Sequence, residues 1–301
     1  MRKSTANLMG VTALIGWSMN TAVTRRITEA QVFGMPALSF TAAGAVLIVF
    51  DLIRGAGNPR RAGAGPRFWI LGGGAFVAYE LLYALALARA DSREAALPLG
   101  LVNYLWPTAI LLLLPLFSPR RFRWPHFLIG LALSLAGAAS ALLWNLDRSA
   151  MWGILGKNRL AFAMMLLAAF LWGFYSHAAR RWGGGANGVG WFQLTAGLAF
   201  FLLWLESGAK LGLTGELLLP LLLHALLVNA LSYLLWDWGV RRGDLDQLGI
   251  LANFLPPAST LFGVWYLDGG ATPGLWLGCL LVTAGAFFCR RGIAEGKRPD
   301  S

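Results

Sequence analysis

Two asparagines in long apolar surroundings are each followed, four residues later, by a proline: Asn103-Tyr104-Leu105-Trp106-Pro107 and Asn253-Phe254-Leu255-Pro256-Pro257. A helical proline offers no N–H to the carbonyl four residues back, and its ring pushes that carbonyl aside. The carbonyl freed in each stretch is an asparagine's, next to that residue's own amide. Pro107 and Pro257 therefore read as hinges. Two broken, polar spots in corresponding halves of an apolar chain point to a transporter's binding site.

Other polar and aromatic side chains gather in particular apolar runs. Trp17, Ser18 and Asn20 lie in the first run, Tyr79, Glu80 and Tyr83 in the third, and Asn103, Tyr104 and Trp106 in the fourth. Trp172, Tyr175, Ser176 and His177 mark the sixth, Asn229, Ser232, Tyr233, Trp236 and Asp237 the eighth, and Asn253 the ninth. Amides, hydroxyls and charges are costly against lipid, so they face an interior or a wet cavity. The expected substrate site is Trp17, Asn20, Tyr79, Glu80, Tyr83, Asn103, Trp106, Trp172, Tyr175, His177, Asn229, Tyr233 and Asn253.

Several of these have a plainer reading. Glu80 reads as functional, or else as a neutral carboxyl bonded to a facing amide. His177 titrates in the cavity or is a packed, satisfied histidine. Asp237 sits near the inner interface facing water, and Trp17 and Trp172 are either lining or interfacial belt residues.

The composition sets the class. Of 301 residues, 57% are hydrophobic and 13% charged, against about 25% charged in soluble domains. The 37 glycines and 14 tryptophans suit membrane helices, where glycine is commoner and tryptophan collects at the interfaces. The net charge of +11 comes as short basic groups between apolar runs, which fits loops facing anionic lipid rather than nucleic acid. Cys279 and Cys289 are about 15 Å apart along a helix and cannot pair. His126, His177 and His224 form no metal spacing, and neither a phosphate loop nor a nucleophile elbow is present. The chain is expected not to be an enzyme and to need no cofactor.

Runs of about 20 apolar residues fall near 5–25, 33–53, 68–89, 95–117, 125–145, 160–181, 188–206, 216–238, 246–267 and 274–290. The first run follows Arg2-Lys3 but is long and lacks a small-x-small cleavage site, so it is expected to remain as a span. With the N-terminus inside, 17 of the 25 Lys and Arg fall on the inner side; both termini are expected to be cytoplasmic.

The runs repeat. Trp17 and Arg25-Arg26 recur as Trp172 and Arg180-Arg181, an offset of 155; Leu81-x-Tyr83 recurs as Leu231-x-Tyr233, an offset of 150 shared by Asn103 and Asn253. Gly130 and Gly137 recur as Gly278 and Gly285, at 148. These glycines lie two turns apart on one face and suit close helix packing. The expected fold is all-α and integral to the membrane: ten transmembrane helices as two five-helix repeats, residues 1–150 and 151–301. Five is odd, so the second repeat enters from the opposite face and the repeats are inverted around a central cavity. The second, fifth, seventh and tenth runs brace the other six.

This pattern resembles the drug/metabolite transporter superfamily, in its ten-helix EamA-type branch, over essentially the whole chain. Gly16-Trp17-Ser18-x-Asn20 and Val102-Asn103-Tyr104-Leu105-Trp106-Pro107 are similar to motifs of its aromatic amino acid exporters. The resemblance implies a basket-shaped bundle in the bacterial inner membrane, exporting Trp, Phe and Tyr by alternating access. In some members it implies hydrophobic cations of the methyl viologen type. Asn20, Asn103, Asn253 and the freed carbonyls would then hold the ammonium and carboxylate of a zwitterion. Pro256 stands where Trp106 has its counterpart, so the half-sites differ. The alternatives are a proton-coupled cation exporter using Glu80 and, from another class, a membrane transferase. The expected partners are a small-molecule substrate and the lipid bilayer, not nucleic acid.

Overall fold

A computed structural model describes residues 3–54, 64–91, 93–117, 123–144, 148–183, 188–242, 248, 251–252, 254–268 and 270–292. Asn253 lies outside the described residues. Those described are helical, with turns between, and contain no strand.

The first apolar run makes two helices, α1 (Lys3–Ser18) and α2 (Asn20–Ala30). It is followed by α3 (Gly34–Ile53) and, after a π-helical turn at Phe68–Gly72, by α4 (Gly73–Ala88). The fourth run is likewise split, into α5 (Arg93–Asn103) and α6 (Trp106–Phe117); α7 is Trp124–Leu143. Next come α8 (Arg148–Trp182), α9 (Val189–Ser207) and α10 (Gly215–Leu222), which passes through a π-helical stretch, Leu223–Leu231, into α11 (Ser232–Arg242). The described chain closes with α12 (Leu255–Tyr266) and α13 (Pro273–Arg291).

Five of these segments are long and apolar enough to cross a membrane: Gly34–Ile53, Phe68–Ala88, Asn158–Trp182, Val189–Ser207 and Gly215–Trp236. The split runs give shorter pieces. Sixteen residues in α1 rise only about 24 Å, short of the roughly 30 Å hydrocarbon layer. The sixth run begins earlier than its apolar residues suggest, because α8 continues through Lys157 and Arg159 without a break.

Pro107 and Pro257 do not kink continuous helices. At the fourth run, Tyr104 N bonds Leu101 O at 3.1 Å and Leu105 N bonds Val102 O at 3.0 Å. These tight i→i−3 bonds end α5, and α6 restarts at Trp106 with Pro107 as its second residue. Phe254 N bonds Leu251 O in the same way, at 3.0 Å, and Pro256 and Pro257 fall in the first turn of α12. A proline in a first turn removes only an N–H that has no helical partner.

Packing pairs distant segments: α7 with α13, α3 with α9, α1 with α11, and both α4 and α6 with α8. Glycines set the closest approaches. A Cβ on Gly137 would lie 2.8 Å from Gly278 O, and one on Gly285 would lie 2.6 Å from Gly130 O. The four glycines read from the sequence therefore face one another, backbone against backbone, as small residues allow. Gly44 and Gly190 do the same for α3 and α9, where a Cβ on Gly44 would lie 2.8 Å from Gly190 O. The outer faces carry exposed leucines, such as Leu198, Leu202 and Leu205 on α9, as lipid contact requires.

Candidate functional site

The two helix breaks at Met19 and Tyr104–Leu105 position the site. The first forms without proline: Ser18 Oγ donates to Ile15 O at 2.6 Å and Met19 N to Gly16 O at 3.2 Å. Trp17 thus stands at the end of α1 and Asn20 begins α2, just as Asn103 ends α5 and Trp106 begins α6. Helix ends also bring backbone groups without helical partners.

Between these ends lies a cavity lined by Trp17, Asn20, Tyr79, Tyr83, Asn103, Tyr104, Trp106, Trp172, Tyr233 and Leu255. The space open to water centres is about 30 Å³, room for roughly two waters. An aromatic ring enters only if the lining moves apart.

Rings dominate the wall. Trp17 meets Trp172 edge-on at 6.0 Å, Tyr233 at 5.1 Å and Trp236 at 5.2 Å between centroids. Tyr79 lies 5.0 Å from Trp172 and 5.8 Å from Tyr83. Such pairs contribute about 0.5–1.5 kcal/mol each beyond area burial; those of Trp17 and Trp172 are tilted or edge-to-face, and Tyr79 stacks on Tyr83. A transported ring can replace one of them without a change of chemistry.

Each polar lining group is anchored from behind. Thr21 Oγ1 and Tyr83 OH are 2.9 Å apart, and Tyr104 lies beside Ser259. Tyr233 OH donates to Glu80 Oε1 at 2.7 Å. Asn103 lies beside Tyr79, and its Oδ1 is buried without a partner among the described groups. A buried amide oxygen left unpaired costs about 1–3 kcal/mol, which a ligand donor would relieve.

Of the expected site residues, eight line this cavity: Trp17, Asn20, Tyr79, Tyr83, Asn103, Trp106, Trp172 and Tyr233. Glu80 stands one shell back, held by the Tyr233 hydroxyl rather than by an amide. Tyr175 packs on Phe76 at 5.1 Å, outside the lining. His177 donates through Nε2 to Ile110 O at 2.7 Å and stacks on Phe117 at 4.7 Å, the arrangement of a satisfied packing histidine. Asn229 is turned to His224. Tyr104 and Leu255 join the lining without having been expected there, although Tyr104 lies inside the Asn103–Pro107 motif. His224 carries no signal in the sequence, since an isolated histidine in an apolar run has no spacing pattern. Among the described residues, no three His, Cys, Asp or Glu side chains are grouped to hold a metal ion, and Cys279 and Cys289 are free and buried.

Bilayer-length apolar helices around a ring-lined, amide-bearing cavity at broken helix ends define an integral membrane transporter. Residues 159–291 match the EamA-like transporter family. A protein of Ancylobacter novellus called aromatic amino acid exporter YddG is 32% identical over 290 residues, 95% of this chain and 97% of that one. Proteins of the same name from Salmonella typhimurium and Escherichia coli are 26% identical over 292 residues (96% and 98% of the two chains) and 24% identical over 299 residues (98% and 100%). A solved crystal structure 28% identical to this chain superposes with a TM-score of 0.71, covering 96% of this chain and 98% of the other. The chain belongs to the EamA-like transporter family.

Proposed function

We propose that this protein exports aromatic amino acids (Trp, Phe and Tyr) across the bacterial inner membrane by alternating access. The observation that carries this reading is the cavity wall, in which Trp17 contacts three other rings beside the amides of Asn20 and Asn103. Rings suit an indole or phenyl side chain, and amides suit an ammonium and a carboxylate. The similar proteins named as aromatic amino acid exporters support the same substrate class.

The working unit is two inverted five-helix repeats, residues 1–150 and 151–301, with both termini cytoplasmic. The helix pairing supports this. Exchanging the halves turns the α1–α11 pair into α8–α4, and it leaves α3–α9 and α7–α13 as they are. The π-helical turns at Phe68–Gly72 and Leu223–Leu231 also fall in corresponding runs. Substrate is bound by the residues of the cavity wall, with Asn253 and Asn229 as further contributors once the halves move. Pro107 and Pro257 fix the restarts at which α6 and α12 swing.

Saturable uptake of radiolabelled tryptophan into proteoliposomes is the direct test; its absence with folded protein would refute the substrate assignment. A second reading is export of hydrophobic cations in exchange for protons, favoured by Glu80, a buried carboxyl one hydrogen bond from the cavity. Flux with and without an imposed pH gradient separates coupled from facilitated transport.

A further inference from the structure

His224 lies on the π-helical stretch, 1% exposed, and three side chains reach its ring. Ser39 Oγ is 2.6 Å and Asn229 Nδ2 3.2 Å from Nδ1, and Thr24 Oγ1 is 3.0 Å from Nε2. Thr24 Oγ1 in turn donates to Asn20 Oδ1 at 3.0 Å, and Asn20 lines the cavity.

The donors in this chain run one way. An amide NH2 only donates, so Nδ1 of His224 carries a lone pair, which the Ser39 hydroxyl also addresses. The ring proton is then on Nε2. A threonine hydroxyl has one proton. Thr24 gives its proton to Asn20, so it accepts from His224 Nε2–H. Asn20 Oδ1 is occupied by this bond, and its NH2 is the group left for the cavity. At the neighbouring helix end the polarity is opposite: Asn103 Oδ1 is buried without a partner among the described groups.

We infer that His224 is a positioning residue: through Thr24 it holds Asn20 with its NH2 toward the cavity, so that a zwitterionic substrate places its carboxylate at Asn20 and its ammonium at Asn103. This rests on the amino acid reading above and adds the orientation of the bound molecule. Fixing the amide by a buried relay, rather than leaving it to rotate, orients a donor before the substrate arrives. The π-helical turn contributes as well, because it puts Asn229, five residues beyond His224, against the same ring.

The experiment is tryptophan counterflow in proteoliposomes, with tryptamine and indole-3-propionate as competitors lacking the carboxylate and the ammonium respectively. Asn20→Asp should weaken tryptophan and indole-3-propionate by about tenfold or more, the loss of one charged hydrogen bond, and spare tryptamine. Thr24→Val, which keeps shape and loses the hydroxyl, should raise the KM for tryptophan with kcat retained. Thr24→Ser, which keeps the hydroxyl and loses a methyl, should restore it. His224→Phe should match Thr24→Val, and the double variant should lose no more than either alone, as expected for residues acting in series. If His224→Phe does not fold, the Val/Ser pair at Thr24 decides.

Equal losses for all three indoles with Asn20→Asp, or Ser worse than Val at position 24, would overturn the orientation while leaving the amino acid reading intact. A wild-type protein that transports no tryptophan overturns that reading and the inference with it.

Discussion

Tyr233 on α11 donates its hydroxyl proton to Glu80 on α4 over 2.7 Å, joining helices 153 residues apart in sequence. Tyr233 faces the cavity and Glu80 does not, so the carboxyl reaches substrate only through the phenol. Glu80→Gln keeps an oxygen that accepts the same bond. For an amino acid exporter, tryptophan flux in everted vesicles should then fall by less than about threefold, within the worth of one ordinary hydrogen bond. Efflux of methyl viologen should collapse, because the carboxyl one hydrogen bond from the cavity wall is replaced by an amide that cannot become an anion. Collapse of tryptophan flux would make Glu80 part of the transport step itself.

Tyr233→Phe removes the donor and leaves the carboxyl in place. A buried acceptor without its partner costs about 1–3 kcal/mol. The thermal midpoint in detergent should drop, and the Glu80→Gln, Tyr233→Phe double variant should recover part of the loss.

Trp17 and Trp106 are expected to govern substrate choice. Trp17→Ala removes the ring at the centre of the wall, beside Trp172, Tyr233 and Trp236; at about 0.5–1.5 kcal/mol for a ring pair with the bound indole, the KM for tryptophan should rise about threefold to tenfold. Trp106 begins α6 and lines the cavity. Trp106→Ala should narrow the preference for tryptophan over leucine, measured by competition in the same counterflow assay. Unchanged selectivity would remove Trp106 from the site.

The glycine contact between α7 and α13 should be sensitive to one carbon. A Cβ on Gly137 would meet Gly278 O at 2.8 Å and Val282 N at 2.8 Å, and neither backbone atom yields without moving a helix. Gly137→Ala should cost about 1–3 kcal/mol through overpacking, read as a lowered unfolding midpoint. Gly74→Ala, where a Cβ meets nothing within 4 Å, is the control and should be nearly neutral.

Pro107→Ala supplies an N–H that Asn103 O can accept, and so lets α5 run on into α6. Turnover should fall severalfold with little change in KM, as for a residue that sets a conformational step. Pro257→Ala should do less, because Pro256 remains in the same first turn of α12. Equal effects at the two positions would show that both breaks rely on a single proline.

Much was legible in the sequence because the bilayer leaves few choices. Apolar runs must be helices, so ranges such as 33–53 and 188–206 fall within a residue or so of α3 and α9. The glycines at 130, 137, 278 and 285 could be read as a packing face, since helical spacing fixes which residues share a side. Trp17, Asn20, Tyr83, Asn103, Trp172 and Tyr233, drawn from five runs, could be read as one cavity wall, because lipid excludes polar groups.

Tertiary structure decided what spacing does not encode. The pattern Asn-x-x-x-Pro is the same whether a helix bends or stops, and only the i→i−3 bonds at Tyr104 and Leu105 show that it stops. Glu80 and Tyr79 are adjacent in sequence, yet only Tyr79 lines the cavity, since neighbours on a helix point about 100° apart. His177 and His224 look alike in sequence. One is satisfied by the carbonyl of Ile110, and the other stands between Ser39, 185 residues away, and Thr24, which bonds a cavity amide. A sequence fixes which side chains must avoid lipid; which of them then meet, and in which direction their protons point, is set by how the helices pack.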